Sequence, residues 1–396
     1  MRARDHGIVL GLLAPGPTNA ITDVAGVRVG HCTIVRGEGP RIVGSGPVRT
    51  GVTVIVPHDG DPFTEPVFAG CHRLNGNGEL TGLEWIRESG QLSSPVALTN
   101  THSVGVVRDA LVAHAARSHP PGTDFWSLPV VGETWDGLLN DVNGFHVRPE
   151  HLDAALGAAI AGPVAEGSVG GGTGMVCHEL KGGIGTASRR LAPEAGGWTV
   201  GALVQANYGR RELLRIDGAP IGAEIPVSDV PSPWRAMPAI GASPLSDGIG
   251  RETPGPWRLP PGSGSIIIVL ATDAPLLPHQ CARLAQRAGL GLARLGSISG
   301  NSSGDLFLAF ATGNRDLPRA ALDADPRREM TLRYVNDTTL DPVFQAAVEA
   351  TEEAIVNALL TAGTMTGCEG ITAHGLDGQR VVEIMARYGR GPLAGR

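Results

Sequence analysis

At one point the sequence passes without transition from proline, glycine and serine into large apolar residues: "PPGSG" is followed by "SIIIVL". If the hydroxyl of Ser265 attacks the carbonyl carbon of Gly264, the bond between them is cut. Glycine at 264 has no Cβ to obstruct the attack and reaches backbone angles that other residues resist. The released Ser265 carries a free α-amine with an unperturbed pKa of about 7.7–8.0, so a nucleophile and its general base share one residue. The strand behind fixes the hydroxyl, and the tract ahead lets the new end withdraw. The dipeptide alone says little, because Gly-Ser also occurs at 44–45, 167–168, 262–263 and 296–297. Only the pair at 264–265 abuts a strong buried strand after a long loop. An ordinary loop-to-strand junction has the same local look.

The elements around this junction divide in style. Before it, short strand-like runs dominate: "AGVRVGHCTIV", "GVTVIVP", "KGGIGTASRRL" and "WTVGALVQANYG". Helices are expected around 104–115 and in the alanine-rich "PEHLDAALGAAIAG". From 217 to 264 the chain is rich in Pro, Gly and Ser with weak periodicity, and reads as a linker. After it come the strand "IIIVL", a helix with Pro278 near its first turn, the strand "DLFLAFATGN", and the long helix "LDPVFQAAVEATEEAIVNALLTAG". Asp341 is the expected N-cap of that helix and Pro342 its first residue. Strands followed by helices imply sheets enclosed between helical layers.

Composition excludes several functions. A net charge of −7 argues against a nucleic-acid binder, which would show a basic face. No run approaches the roughly 18 apolar residues of a membrane span. The start, "MRARDHGIVLGLLAPGP", has early arginines, but Asp5 interrupts them and no A-x-A site follows, so a cleaved leader is not expected. Five scattered cysteines with no CxxC pair point to buried thiols in a reducing, cytoplasmic setting. The glycine-rich "GSVGGGTGM" lacks a following GK[ST] and reads as backbone passing close to a site rather than a phosphate loop. The 12 histidines include no HExxH and no zinc spacing, so neither metal nor cofactor is expected. Lys181 is the only lysine, a bias that reads as gene base composition.

The block "GSIIIVLATDAPLLPHQ" closely resembles the start of the small subunit in the DmpA-like (P1) family of self-processing aminopeptidases. "NAITDVAGVRVGH", "NGNGELTGLEW", "GETWDGLLNDVNG", "GGGTGMVCHELKGGIGTASR", "VQANYG" and "NSSGDLFLAF" follow the family's order. The likeness spans nearly the whole chain and is weakest in the linker-like tract. It implies an α+β fold, a four-layer αββα sandwich similar in architecture to the N-terminal-nucleophile hydrolases but differently connected. It implies one product cut between Gly264 and Ser265 into segments 1–264 and 265–396 that remain one structural unit. It also implies a homo-oligomer, a tetramer of such pairs, acting on small peptides or amino-acyl amides.

By resemblance, Ser265 is the nucleophile and Ser303 the serine that bonds it or its amine. Asp305 matches an acidic residue associated with Glu in some members. Asn207 matches the oxyanion-stabilising asparagine, Glu133 the carboxylate that binds the substrate amine, and Trp135 a position associated with Tyr. An indole N–H is a donor only, so Trp135 is read as shaping the substrate pocket or, less directly, the oxyanion site. Asp136 and Asp141 are the other candidate amine anchors. Ornithine-acetyltransferase-type acyl transfer and an unprocessed homologue that only binds amino compounds are the competing readings. The sequence leaves L-α, D-α and β-amino acyl substrates open.

Overall fold

Alternation along the strands decides how the layers stack. In the computed structural model, which describes residues 1–120, 122, 125–236, 263–319, 327 and 329–391, the chain runs through β1 (Arg28–Arg36), β2 (Val48–Val56), β3 (Val67–Gly76), α1 (Leu83–Ser89), β4 (Gln91–Leu92) and β5 (Val96–Asn100). Then come α2 (Val104–Arg117), β6 (Val130–Thr134), α3 (Pro149–Gly157) and a tiny hairpin of β7 (Val176–Cys177) and β8 (Leu180–Lys181). β9 (Gly183–Arg190), β10 (Thr199–Asn207), α4 (Ile221–Glu224), β11 (Ser265–Thr272), α5 (Pro278–Arg294), β12 (Gly304–Ala311) and α6 (Asp341–Thr361) follow.

One sheet has the order β1-β2-β5-β6, the other β4-β3-β12-β11-β10-β9. Ile267, Val269 and Ala271 of β11 join Leu203, Leu306, Leu308 and Phe310 against Ile55, Val96, Leu98 and Val130 of the smaller sheet. Their neighbours Ile266, Ile268 and Leu270 face the other way, into a cluster with Leu284, Ala288, Ile355 and Leu359 of α5 and α6. The outer face of the smaller sheet packs Val52, Val54 and Ala97 on Val107, Leu111 and Leu152 of α2 and α3. The layers are therefore α, β, β, α, as the motifs imply. Residues 265 onward do not form a separate body: β11 and β12 lie side by side in the larger sheet, between β10 and β3. Each fully buried Ile, Val or Leu of β11 contributes about 1.5–3 kcal/mol relative to exposure, so the strand that begins at Ser265 is firmly held.

Two expectations need correction. The N-cap of α6 is Leu340, and Asp341 and Pro342 lie inside the first turn. The linker-like tract is folded over its first part: Ala219, Ile221, Ile225 and Trp234 are buried. The Arg211 guanidinium gathers the carbonyls of Ile225 and Val230 at 3.1 and 3.2 Å. Such a cluster of carbonyls satisfies loop backbone that the core would otherwise leave unpaired. Residues 237–262 of the tract lie outside the described residues.

Candidate active site

The site forms where β10 and β11 begin and end together. They are antiparallel, and the register sets Asn207, the last residue of β10, directly opposite Ser265, the first of β11. By the same period-two rule Ser265 shares the inter-sheet face with Ile267, and Asn207 shares it with Leu203 and Gln205. Both side chains therefore open into the end of the space between the sheets. Gln205 ties that space across, donating its Nε2 to the carbonyl of Thr99 at 2.9 Å and to Thr134 Oγ1 at 2.8 Å.

Gly264 is wedged against this pair. Its φ is +157°, and a Cβ there would lie 1.8 Å from the Asn207 carbonyl oxygen and 3.2 Å from Asn207 Nδ2. No side chain fits against a backbone atom at that distance, so glycine is required. Ser265 Oγ accepts a hydrogen bond from Gly304 N–H at 3.0 Å. The preceding Ser263 Oγ is bonded to Ser302 Oγ at 3.1 Å. The "NGNG" turn braces that region in its turn: Asn77 Nδ2 donates to the Ser302 carbonyl at 2.7 Å and Asn75 Nδ2 to the Gly300 carbonyl at 2.6 Å.

Asn207 is held at both ends of its amide. Oδ1 accepts Val176 N–H at 2.7 Å, and Nδ2 donates to the Trp135 carbonyl at 2.9 Å. A flipped amide would set donor against donor and acceptor against acceptor, so the network fixes the orientation. Nδ2 makes no second hydrogen bond among the described residues and lies 3.2 Å from where a Cβ on Gly264 would stand. An N–H held on this side can stabilise negative charge developing on a carbonyl oxygen. Trp135 thus meets Asn207 through its carbonyl. Its indole stacks on Trp234 with centroids 6.1 Å apart and planes at 22°.

Ser303 and Asp305 pair with each other rather than with Ser265. Ser303 Oγ donates to Asp305 Oδ1 at 2.6 Å, and among the described residues no hydrogen bond joins either to the Ser265 side chain. Asp305 sits beside Ile266 in the parallel β11–β12 register, on the helix-facing side with Phe307. A bulge on β3 falls at this point, between the partners of Asp305 and Leu306. Burial pushes the Asp305 carboxyl above its ordinary value, and the bonds from Ser303 and Ser299 and from the Ile266 backbone pull it part of the way back.

Glu133, near the end of β6, is only 3% exposed. Its Oε1 accepts Glu79 N–H at 3.0 Å, and its Oε2 accepts a short hydrogen bond from Thr101 Oγ1. It is close to the nucleophile: a Cβ on Gly78 would lie 3.1 Å from both Glu133 Oε1 and Gly304 Cα. Burial raises its carboxyl, while the Thr101 and Glu79 donors counter the effect. The other acids point elsewhere. Asp136 is fully buried, accepts Asn140 Nδ2 at 3.0 Å and is pushed up to about 6 by burial. Asp141 is bonded to His146 Nε2 at 2.8 Å.

A family model for "Peptidase family S58" matches residues 19–373. The chain belongs to peptidase family S58. It is 45% identical over 394 residues to a beta-peptidyl aminopeptidase of Sphingosinicella microcystinivorans, covering 98% of this chain and 93% of that one. Among solved structures, a Burkholderia sp. beta-aminopeptidase superposes with a TM-score of 0.87 at 52% identity, covering 99% of this chain and all of that one. An L-aminopeptidase D-Ala-esterase/amidase from Ochrobactrum anthropi superposes with a TM-score of 0.84 at 41% identity, covering 98% and 99%. That structure is described as a prototype for the serine aminopeptidases and a variant of the Ntn hydrolase fold. The S58 chain described here is a self-processing serine aminopeptidase with an N-terminal nucleophile, and acyl transfer of the ornithine-acetyltransferase type is not favoured. Sequence reasoning missed the backbone donors of Val176, Glu79 and Gly304 and the hydroxyl of Thr101. The quoted "NGNGELTGLEW" motif, which contains Glu79, marked the stretch of one of them without giving its role.

Proposed function

We propose that this S58 aminopeptidase cuts itself between Gly264 and Ser265 and then removes amino-terminal β-amino residues from small peptides and amides. The observation that carries the reading is the direct opposition of Ser265 and Asn207, with Glu133 one small residue away. The β-amino preference draws on the names of the relatives at 45% and 52% identity.

In the precursor, Ser265 Oγ adds to the Gly264 carbonyl carbon. The peptide C–N bond breaks, leaving an ester on Oγ and a free amine on Ser265, and water then hydrolyses the ester. In turnover that amine takes the hydroxyl proton as Oγ attacks the substrate carbonyl. Asn207 Nδ2 donates to the oxyanion, and the protonated amine returns its proton to the leaving amine. The same amine then draws a proton from the water that hydrolyses the acyl-enzyme. Glu133 receives the substrate ammonium by charge-assisted hydrogen bonds that an acylated amine cannot reproduce. Ser303 and Asp305 form the polar support beside the new terminus, and Trp135 with Trp234 forms an aromatic wall near Asn207. Processed pairs associate into a homo-oligomer in the cytoplasm, a reading that rests on the resemblance and on the free cysteines.

A panel of matched β-, L-α- and D-α-amino-acyl p-nitroanilides tests the substrate class. Higher kcat/KM on the β-amino members is expected. Equal rates on N-acetylated and free substrates would reject the aminopeptidase reading for a general amidase.

A further inference from the structure

The only lysine of the chain is fully buried beside the site, and the chemistry above does not use it. Lys181 lies on β8 of the hairpin, paired with Val176 of β7. Its Nζ donates to three backbone carbonyls: Gly182 at 2.7 Å, Met175 at 2.9 Å and Gly172 at 3.3 Å. The three N–H donors of an ammonium are thereby all used. Among the described residues it has no carboxylate partner.

A buried, unpaired ammonium is costly, and burial lowers this one to about 7. An apolar residue would avoid that cost but would take the Nζ donor away from three buried carbonyls, one of which belongs to the peptide that meets Asn207. The Met175 carbonyl and the Val176 N–H are two ends of one peptide unit. Lys181 holds the carbonyl end, and the N–H end donates to Asn207 Oδ1 at 2.7 Å. Gly182 N–H also donates to the Met175 carbonyl, at 2.9 Å. An N–H donor on the carbonyl oxygen fixes the peptide plane and polarises the N–H toward its acceptor, most strongly when the amine is protonated.

We infer that Lys181 is a positioning residue for the oxyanion donor: by clamping the Met175 carbonyl it aims Val176 N–H at Asn207 Oδ1, which turns Asn207 Nδ2 toward the scissile carbonyl. The glycines on either side permit the clamp. A Cβ on Gly172 would lie 2.4 Å from Ile184 N, and one on Gly182 2.4 Å from the Ala206 carbonyl, so the loop can close around Nζ only without side chains. This inference rests on the proposed oxyanion role of Asn207, in both precursor cleavage and hydrolysis.

The test is a double-mutant cycle on the full chain, with Lys181→Met and Asn207→Ala alone and combined. Precursor cleavage is followed by gel, and kcat and KM with the amino-acyl p-nitroanilide that the wild type turns over fastest. Lys181→Met is expected to lower kcat and the cleavage rate by about 10- to 100-fold, less than the 100- to 1,000-fold loss of an oxyanion donor, with KM within about twofold. In the Asn207→Ala background the same change is expected to do nothing further, a coupling that a purely structural role would not produce. Equal losses in both backgrounds, or wild-type kcat in folded Lys181→Met, would overturn the inference while leaving the role of Asn207 intact. Wild-type kcat in Asn207→Ala would instead overturn the reading beneath it. If Lys181→Met does not fold, Val176→Pro removes the N–H and leaves the lysine in place. A folded, fully active Val176→Pro protein excludes the route from Lys181 to Asn207, and a loss of kcat confined to the Asn207-containing background supports it.

Discussion

Replacing Glu133 with glutamine separates recognition of a free amine from the chemistry at Ser265. The carboxylate is buried and already accepts two neutral donors, Glu79 N–H and Thr101 Oγ–H. Each of its oxygens retains further acceptor capacity, and an ammonium supplies up to three donors. Glutamine keeps the shape and one acceptor but places an NH2 where an oxygen accepted. It therefore loses the charge and sets a donor against one of the two neighbours. Loss of one hydrogen bond to a charged group costs about 1.5–3 kcal/mol, or roughly 10- to 150-fold in kcat/KM at about 1.36 kcal/mol per decade. Self-cleavage involves no substrate amine and should run at the wild-type rate. Burial holds the Glu133 carboxyl above its ordinary value of 4.5, which gives the sign of two further effects. A raised folded pKa means stability is lost as pH rises from the unfolded value through the folded one, so at neutral pH the carboxylate is a burden. The stability of Glu133→Gln relative to wild type should therefore improve as pH rises through the carboxyl's titration and worsen as pH falls, on top of a pH-independent cost from the donor set against its neighbour. In turnover, protonation removes the charge that the ammonium needs. KM should thus climb at a pH above the usual carboxylate range, and the variant should lack that climb. The assay is kcat/KM across pH for free and N-acetylated amino-acyl p-nitroanilides. A variant as active as wild type on free substrates, or one that also fails to cleave itself, refutes this account of Glu133.

Purified wild type should resolve into two chains, the smaller beginning Ser-Ile-Ile-Ile, whereas Ser265→Ala should remain one chain at the full 40.9 kDa; cleavage of that variant at the same bond would exclude Ser265. Gly264→Ala forces a Cβ to within 1.8 Å of the Asn207 carbonyl, so it should accumulate uncut or unfolded. Soluble Gly264→Ala protein processed at the wild-type rate would show that the wedge plays no part. With the Ser265 α-amine as base, kcat/KM should fall with acidification through an apparent pKa of about 7–8, because the amine must be neutral to accept a proton. That limb should survive in Glu133→Gln, and a profile flat from about pH 5 to 9 would reject the assignment.

What the sequence carried and what it withheld have a physical division. The strands that Asn207 ends and Ser265 begins were legible because strand alternation is a local property that survives into the fold, whereas the role of Asn207 was read only from its motif. Glu133 and the Ser303–Asp305 pair were legible only as members of motifs, since nothing local says that β6 and β12 approach Ser265 from two different sheets. The donors that complete the site could not be picked out by residue type, because Val176, Glu79 and Gly304 act through N–H groups that every non-proline residue has. The tract after 216 misled for the opposite reason. Its composition is that of a linker, yet the Arg211 guanidinium, itself buried, supplies the hydrogen bonds that let its loops pack. The long helix shows the same override. Glu349, Glu353 and Asn357 of α6 are polar in sequence and buried in fact, because Arg189 reaches the two carboxylates at 3.2 and 2.7 Å and Asn357 Oδ1 accepts the Ala3 N–H. In each case the decisive partner is a cation or a backbone group from a distant segment. Lys181 is the sharpest instance: by composition a lone lysine reads as a bias of the gene, and only the peptide plane between its Nζ and Asn207 gives it a place in the chemistry.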